Sequence, residues 1–299
     1  MSGARPARPA GLIGRVSAVH GRHYRVEGED GQRYECVSRG KRSGIACGDS
    51  VSFTLTSPGH GAIEQTLARR NLLYRSDHFR SKLLAANVDQ VYVVVAGVPT
   101  PDIDLMNRCL VACAVADIPA FIVVNKADLA ESRDLLHRLS AYPGIGYPLI
   151  SLSAHDDCAP LARALAGTAI LIGASGVGKS TLINALVPEA QITTQAISFA
   201  LDTGRHTTTH TRLYHLDRKR ALIDSPGMQE FGLAHVDARE LATAFPEFRA
   251  HLGQCRFYNC RHLKEPGCAI LGAVAAKRIA EERWRVYRDL SAEAESKVY

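Results

Sequence analysis

The 299-residue chain is 46% hydrophobic and 22% charged and carries a formal net charge of +6, a composition that excludes disorder as the main state and leaves room for two or three domains. Its longest apolar runs, Val91 to Val98 and Leu110 to Ala116, fall well short of the ~20 residues that span a bilayer, so no transmembrane reading and no membrane partner follow. Eight cysteines are too few for a disulfide scaffold, and three of them crowd into Cys255 to Cys268, which points to a metal.

Residues 1–10 are basic and small without the apolar stretch of a secretion signal, so a disordered tail on a cytoplasmic protein is expected. Residues 11–80 hold short alternating segments, Gly14 to Val19, His23 to Val26, Arg33 to Val37 and Asp49 to Leu55, separated by glycine-rich turns. That pattern predicts a small all-β barrel of about five strands, either an oligonucleotide-binding (OB-like) barrel or another small barrel. Residues 81–248 change character: continuous apolar strands at Val91 to Ala96, Ala120 to Val124, Pro148 to Leu152 and Ala169 to Ile172 alternate with helical stretches at Leu105 to Ala116, Asp134 to Ser140 and Leu161 to Ala166. Buried parallel strands with crossover helices, an α/β domain, are predicted. In residues 249–299 a short Cys/His-bearing segment precedes one helix-forming run, Ala273 to Leu290.

Charge divides unevenly over these parts. Residues 1–80 carry 13 Lys+Arg against 7 Asp+Glu, residues 81–248 carry 13 against 17, and residues 249–299 carry 10 against 6. Basic ends around an acidic middle are what phosphate neutralisation would require of two appendages that hold nucleic acid, although solvated surface arginines give the same count.

The strand ending at Ile172 runs into Gly173-Ala174-Ser175-Gly176-Val177-Gly178-Lys179-Ser180-Thr181 and then a helix, the spacing of a phosphate-binding loop. Glycines let the backbone approach phosphates closely, so that successive N–H groups and the helix N-terminus face the anion. Lys179 supplies a point charge for the outer phosphates and Ser180 a hydroxyl for Mg2+.

Base recognition lies upstream. Asn125-Lys126-Ala-Asp128 follows a strand and resembles the Asn-Lys-x-Asp element of GTPases. By that resemblance Asp128 accepts from the guanine N1–H and exocyclic amine, Asn125 braces the loop and the Lys126 stem covers the base. Ser153-Ala154, at the next strand end, resembles the element whose alanine N–H meets the guanine carbonyl. Downstream, Asp224-Ser-Pro-Gly227 resembles the Asp-x-x-Gly element, Asp224 holding Mg2+ through water and the Gly227 N–H sensing the γ-phosphate. Thr203 to Thr211 is polar and fits a first switch, with one threonine on Mg2+. Base elements therefore precede the phosphate loop, the order of a circular permutation. Met228 stands where familiar GTPases have a water-orienting glutamine; a thioether cannot orient water, and His206 is the best internal candidate for that task.

Cys255-x4-Cys260-x-His262-x5-Cys268 offers three thiolates and one imidazole, enough for one closed, structural Zn2+ site that folds a segment too short for its own core. Arg256, Arg261 and Lys264 interleave with Phe257 and Tyr258, a mix suited to phosphate contact and base stacking. Cys36, Cys47, Cys109, Cys113 and Cys158 read as buried small residues.

On the permuted motifs, the Gly204-Arg-His-Thr-Thr-Thr run, the Asp224-Ser-Pro-Gly element followed by Met228, the Cys/His spacing and the N-terminal barrel, the chain resembles the circularly permuted, ribosome small-subunit-dependent GTPases of the RsgA (YjeQ) family. The resemblance implies an α/β chain: a circularly permuted P-loop GTPase domain with an N-terminal all-β, OB-like barrel and a C-terminal helical zinc-binding domain. It further implies a GTP- and GDP-binding, monomeric late assembly factor that binds the small ribosomal subunit and its 16S-type rRNA, hydrolyses GTP faster there and then leaves. Thr208 becomes the Mg2+-linked threonine and His206 the hydrolysis residue. Three other readings compete: an RNA-binding protein with nucleotide as a structural ligand, a permuted GTPase of the large subunit, and an ATPase.

Overall fold

The computed structural model describes residues 11–39, 44–76, 81–192 and 211–295. Five strands, β1 (Leu12–His20), β2 (His23–Gly28), β3 (Arg33–Ser38), β4 (Ser50–Ser57) and β5 (His60–Thr66), form the N-terminal barrel. β1 pairs with both β2 and β4, and β3 runs parallel to β5, so the order β1-β2-β3-β5-β4 closes on itself. Closure in this partly parallel order is that of the oligonucleotide-binding barrel. Alternation explains the core: Tyr24 and Val26 on β2, Tyr34 and Cys36 on β3, and Val51 and Phe53 on β4 point inward together. Much of the barrel's positive charge is neutralised locally, by Arg25–Glu35, Arg33–Glu27 and Arg39–Glu64, while Arg22 and His23 stand exposed.

A hairpin that the alternation pattern missed, β6 (Leu72–Ser76) and β7 (Ser81–Ala86), follows and lies across residue 80, where the barrel was expected to end. Beyond it come β8 (Gln90–Ala96), α1 (Ile103–Val115), β9 (Ala120–Asn125), α2 (Ala130–Arg138), β10 (Leu149–Ser151), α3 (Ala159–Ala164), β11 (Thr168–Ile172), α4 (Lys179–Leu186), β12 (Thr211–His215) and β13 (Ala221–Asp224). The sheet order is β10-β9-β8-β11-β13-β12, parallel except for β12. Strand parity assigns the two layers. Val91, Val93 and Val95 of β8 face Leu105, Met106 and Leu110 of α1, whereas Tyr92, Val94 and Ala96 face Leu161 of α3 and Leu182 and Ile183 of α4. Each such fully buried aliphatic chain contributes ~1.5–3 kcal/mol. β12 also pairs with β1, so barrel and nucleotide domain share one sheet.

The C-terminal part, α5 (Ala238–Leu241), a 3-10 run Pro246–His251, α6 (Ala269–Ala275) and α7 (Glu281–Glu295), corrects one expectation. The run Ala273 to Leu290 is two helices, because α6 is capped at Ala276 and Lys277 adopts a left-handed φ of 58°. The segment has no core of its own, as its length predicts: Phe245, Phe248, Ile270 and Leu290 belong to the same apolar cluster as Val91 and Ile170. At its centre Arg283, 2% exposed, donates to Glu247 Oε1 (2.6 Å) and Asn107 Oδ1 (2.7 Å) and lies 4.7 Å from the Phe245 ring centre. The C-terminal helix is thereby pinned to α1 by a buried charge whose removal from such a pair costs ~3–5 kcal/mol.

Candidate functional site

The loop Gly173–Gly178 joins β11 to α4, and its glycines are set by space as well as by conformation. A Cβ on Gly173 (φ +148°) would lie 2.3 Å from Val94 O, and one on Gly178 (φ +95°) 2.3 Å from Asn125 Nδ2. Lys179 opens α4, and its buried Nζ donates to Gly173 O (2.8 Å) and Ala174 O (2.7 Å). Burial lowers the Lys179 ammonium to about 8 against the opposing pull of Asp224, and burial raises the Asp224 carboxyl to about 6 against the pull of Lys179. Ser180 and Thr181 follow, half-buried, in the first turn of α4. A half-buried carboxylate and a hydroxyl beside the Lys179 ammonium form a hard-oxygen donor set that fits Mg2+ with a polyphosphate.

Asn125, 1% exposed at the end of β9, ties three motifs together. Its Nδ2 donates to Val177 O (2.9 Å) in the phosphate loop, and its Oδ1 accepts from Ala154 N–H (3.0 Å) after β10. Lys126, with a left-handed φ of 58°, donates from Nζ to Val98 O (2.8 Å) and Gly176 O (2.9 Å), so its stem spans the gap between base loop and phosphate loop. Asp128 is exposed beyond it, and Ser153 is buried with its carbonyl accepting from the Asp156 and Asp157 N–H groups. Ala154 N–H, expected to face a base carbonyl, is engaged by Asn125; a guanine carbonyl must share that donor. Ser132, missed in the sequence, accepts from Gly97 N–H (3.0 Å) and donates to Asn125 O (3.1 Å). No spacing rule marks it, because its partners are backbone atoms distant in sequence.

Asp224 ends β13 opposite Leu171 of β11, and Ser225 Oγ donates to Leu171 O (2.7 Å). Gly227 follows against the loop, where a Cβ would come 2.9 Å from Ser175 Cα. Met228 is buried at 3% exposure, and its N–H donates to Gly173 O (3.2 Å). The thioether is thus part of the core. His206 and Thr208 lie outside the described residues.

Among the described residues one group of metal-type ligands converges: Cys255, Cys260, His262 and Cys268, all ligand atoms within 4.8 Å of one another. Cys255 Sγ and Cys268 Sγ each lie 3.4 Å from His262 Nδ1 and 3.9 Å apart. These match the edges of about 3.5–3.8 Å that Zn–S near 2.3 Å and Zn–N near 2.0 Å give in a tetrahedron. Burial holds the His262 imidazole below its ordinary value, which favours the neutral form a metal takes. Ala269 N–H donates to Cys255 Sγ and Leu271 N–H to Cys268 Sγ, and α7 braces the ligand loop through Trp284 Nε1 to His262 O (2.9 Å) and Tyr287 OH to Arg261 O (2.8 Å). Beside the cluster Tyr258 is fully exposed and the Arg256 guanidinium lies 5.5 Å from the Phe257 ring centre.

Base elements after β9 and β10, a phosphate loop after β11 and an Asp-x-x-Gly element after β13, meeting at one sheet edge in that chain order, define a circularly permuted P-loop GTPase. A family model described as RsgA GTPase matches residues 66–234. The chain is 50% identical over 301 aligned positions to the small ribosomal subunit biogenesis GTPase RsgA of Burkholderia pseudomallei, covering 97% of this chain and 96% of that one. It is 48% identical over 284 positions to the protein of the same name from Nitrosomonas europaea, covering 93% and 90%. Among solved structures, YjeQ from Thermotoga maritima superposes with a TM-score of 0.72 at 31% identity over 95% of this chain and 98% of that one. YloQ, a circularly permuted GTPase, shares the fold with a TM-score of 0.71 at 24% identity over 99% of each chain. The chain belongs to the RsgA GTPase family.

Proposed function

We propose that this protein binds GTP with Mg2+ at the shared edge of β9, β10, β11 and β13, hydrolyses it to GDP and phosphate faster on the small ribosomal subunit, and then leaves that subunit late in its maturation. The observation that carries the reading is Asn125, whose one side chain joins base loop, alanine loop and phosphate loop into a single pocket. The partner follows from the name of the relatives matched at 50% and 48% identity.

Within that site Asp128 takes the guanine N1–H and amine, Lys126 covers the base, and residues 173–178 present N–H groups to the phosphates. Lys179 exchanges its two carbonyl partners for phosphate oxygens, an exchange that returns a buried ammonium to a full counter-charge. Ser180, Thr208 and Asp224 would hold Mg2+, which would supply neutralisation of the phosphate charge. Gly227 N–H reads the γ-phosphate. His206 positions or deprotonates the attacking water, a role that Met228 cannot take from within the core. Cys255, Cys260, His262 and Cys268 would hold one structural Zn2+. The barrel (residues 11–80) and the zinc segment (residues 249–299) contact rRNA, through Arg22 and His23 on the one and Arg256, Arg261, Lys264 and Tyr258 on the other. No described helix is long and apolar enough to cross a membrane, and the protein works as a monomer in the cytoplasm.

The test is phosphate release from GTP by the protein alone and with isolated small or large subunits at two salt concentrations. Stimulation by the small subunit only, weakening as salt rises, is the expected result. Equal slow rates throughout would turn the site into a ligand site, and stimulation by the large subunit would reassign the partner.

A further inference from the structure

The chain after Gly227 is held from two sides. On one, Met228 pairs with Ala174 in a parallel bridge and donates its N–H to Gly173 O (3.2 Å), so the segment after the Asp-x-x-Gly element begins fastened to the phosphate loop. On the other, the β6–β7 hairpin takes Gly232 to Ala234 onto its free edge: Ser76 N–H donates to Gly232 O (2.9 Å) and Ala234 N–H donates to Ser76 O (2.9 Å). Side chains complete this second attachment. The Arg75 guanidinium donates to Glu230 O (2.6 Å), Ser76 Oγ shares a hydrogen bond with His235 Nδ1 (2.8 Å), and the Tyr74 and His235 rings lie 4.0 Å apart.

Arg75 is badly placed if its purpose is to stabilise the hairpin. The register sets it directly across from Lys82, and like charges opposed across a strand pair are destabilising. Burial and the Arg75 charge together hold Lys82 below its ordinary value. The compensation lies outside the hairpin, in a charge-assisted hydrogen bond to the Glu230 carbonyl, two residues beyond Met228. The same hairpin leaves the barrel directly, where Arg69 is anchored to the buried Asp49 (2.6 Å).

We propose that Arg75 is a positioning residue for GTP hydrolysis: by holding the Glu230 carbonyl it fixes the segment from Met228 to Ala234, and with it the Gly227 N–H, over the phosphate loop. The proposal rests on the reading of Gly227 as the γ-phosphate sensor. The effect runs through backbone atoms of the segment that follows Gly227.

The experiment compares full-length wild type, Arg75→Ala and Arg75→Lys for subunit-stimulated kcat, for affinity toward GDP and a non-hydrolysable GTP analogue, and for amide hydrogen exchange of the Gly232–Ala234 peptide. Arg75→Ala is expected to lower kcat about tenfold while GDP affinity stays within about twofold, and to speed exchange at Ala234. Arg75→Lys, which keeps a cationic donor, is expected to recover a large part of both. An unchanged kcat in Arg75→Ala, or equal losses in both variants, would overturn the proposal. Gly227→Ala separates the two layers of argument. If it leaves GTP-analogue affinity and turnover intact, the sensor reading falls and takes the Arg75 proposal with it; if it abolishes turnover while Arg75→Ala is silent, only the role of Arg75 falls.

Discussion

Ala18 of the barrel lies directly opposite Arg212 of β12, and Arg212 in turn lies opposite Asp224 of β13. Three adjacent strands thus put a barrel residue two strand steps from the carboxylate at the nucleotide site. β12 begins at Thr211, three residues after Thr208 in the sequence.

The strength of this junction resides in backbone pairing more than in its side chains. His215 Nε2 and Glu27 Oε2 share a 2.6 Å hydrogen bond across it, but His215 is half exposed, and such exposed polar pairs contribute at most ~1 kcal/mol. Glu27→Gln should therefore change the denaturation midpoint little. Arg212→Pro, which removes a sheet hydrogen bond in a strand paired on both edges, should cost ~3 kcal/mol or more. Similar midpoints for the two variants in urea titrations would show that the strand pairing is not what joins the parts.

Asn125→Ala removes both bonds of a buried side chain, so all guanine nucleotides should bind more weakly, by roughly a hundredfold, with a loss of about 2–3 kcal/mol in stability of the free protein. Asp128→Asn is exposed and should leave stability alone while relaxing the preference for guanine over other bases. Competition binding with GDP, IDP, XDP and ADP reads both effects; unaltered discrimination in Asp128→Asn would remove its base-reading role.

His206→Ala is expected to keep GTP affinity and lose most subunit-stimulated turnover, on the order of the hundredfold or more that a general base contributes. Fluorescent-nucleotide titration beside phosphate release separates the two quantities. Weakened GTP binding in this variant would make His206 a structural residue.

Asp224 sets a pH dependence with opposite signs in the free and nucleotide-bound protein. Its folded pKa of about 6 stands above the ordinary 3.8, so between those values the folded protein holds a proton that the unfolded chain has released. Its contribution to stability is full below about pH 4 and is lost as pH rises to about 6. Mg2+ binding needs the carboxylate, so stabilisation by Mg2+ and GDP should be small near pH 5 and full above about pH 7. Thermal melts with and without nucleotide across that range test the sign, and a nucleotide effect that does not vary with pH would reject it.

Removal of the metal should reach beyond the zinc segment. Ile270, Ala273 and Leu290 share their core with Val91 and Ile170, so chelation or Cys255→Ser should lower the melting temperature of the nucleotide domain by several degrees, corresponding to about 1–2 kcal/mol or more. Elemental analysis should find one zinc per chain. A preparation without metal that melts unchanged would mean that the cluster is three reduced thiols and a histidine and no site.

Several features of this protein are legible in its sequence because their physics is local. A backbone that wraps a phosphate needs glycines at fixed intervals, as at Gly173, Gly176 and Gly178; four ligands for one ion need short spacings, as from Cys255 to Cys268; and strand parity at Val91 to Ala96 fixes which side chains face which layer. The circular order of the motifs is likewise a property of the string itself. Other features depend on which distant segments meet. The break at Lys277 needs a left-handed residue that helix propensity does not announce. The β6–β7 hairpin is short and half polar, and its value lies in an edge offered to Gly232–Ala234. That β12 joins two domains, that Met228 turns into the core, and that Arg283 finds Glu247 and Asn107 from three separate elements were decided by tertiary structure alone. The reason is that a hydrogen bond or a buried charge is satisfied by whatever partner the fold delivers, and the chain carries no periodic mark of a partner that lies 150 residues away.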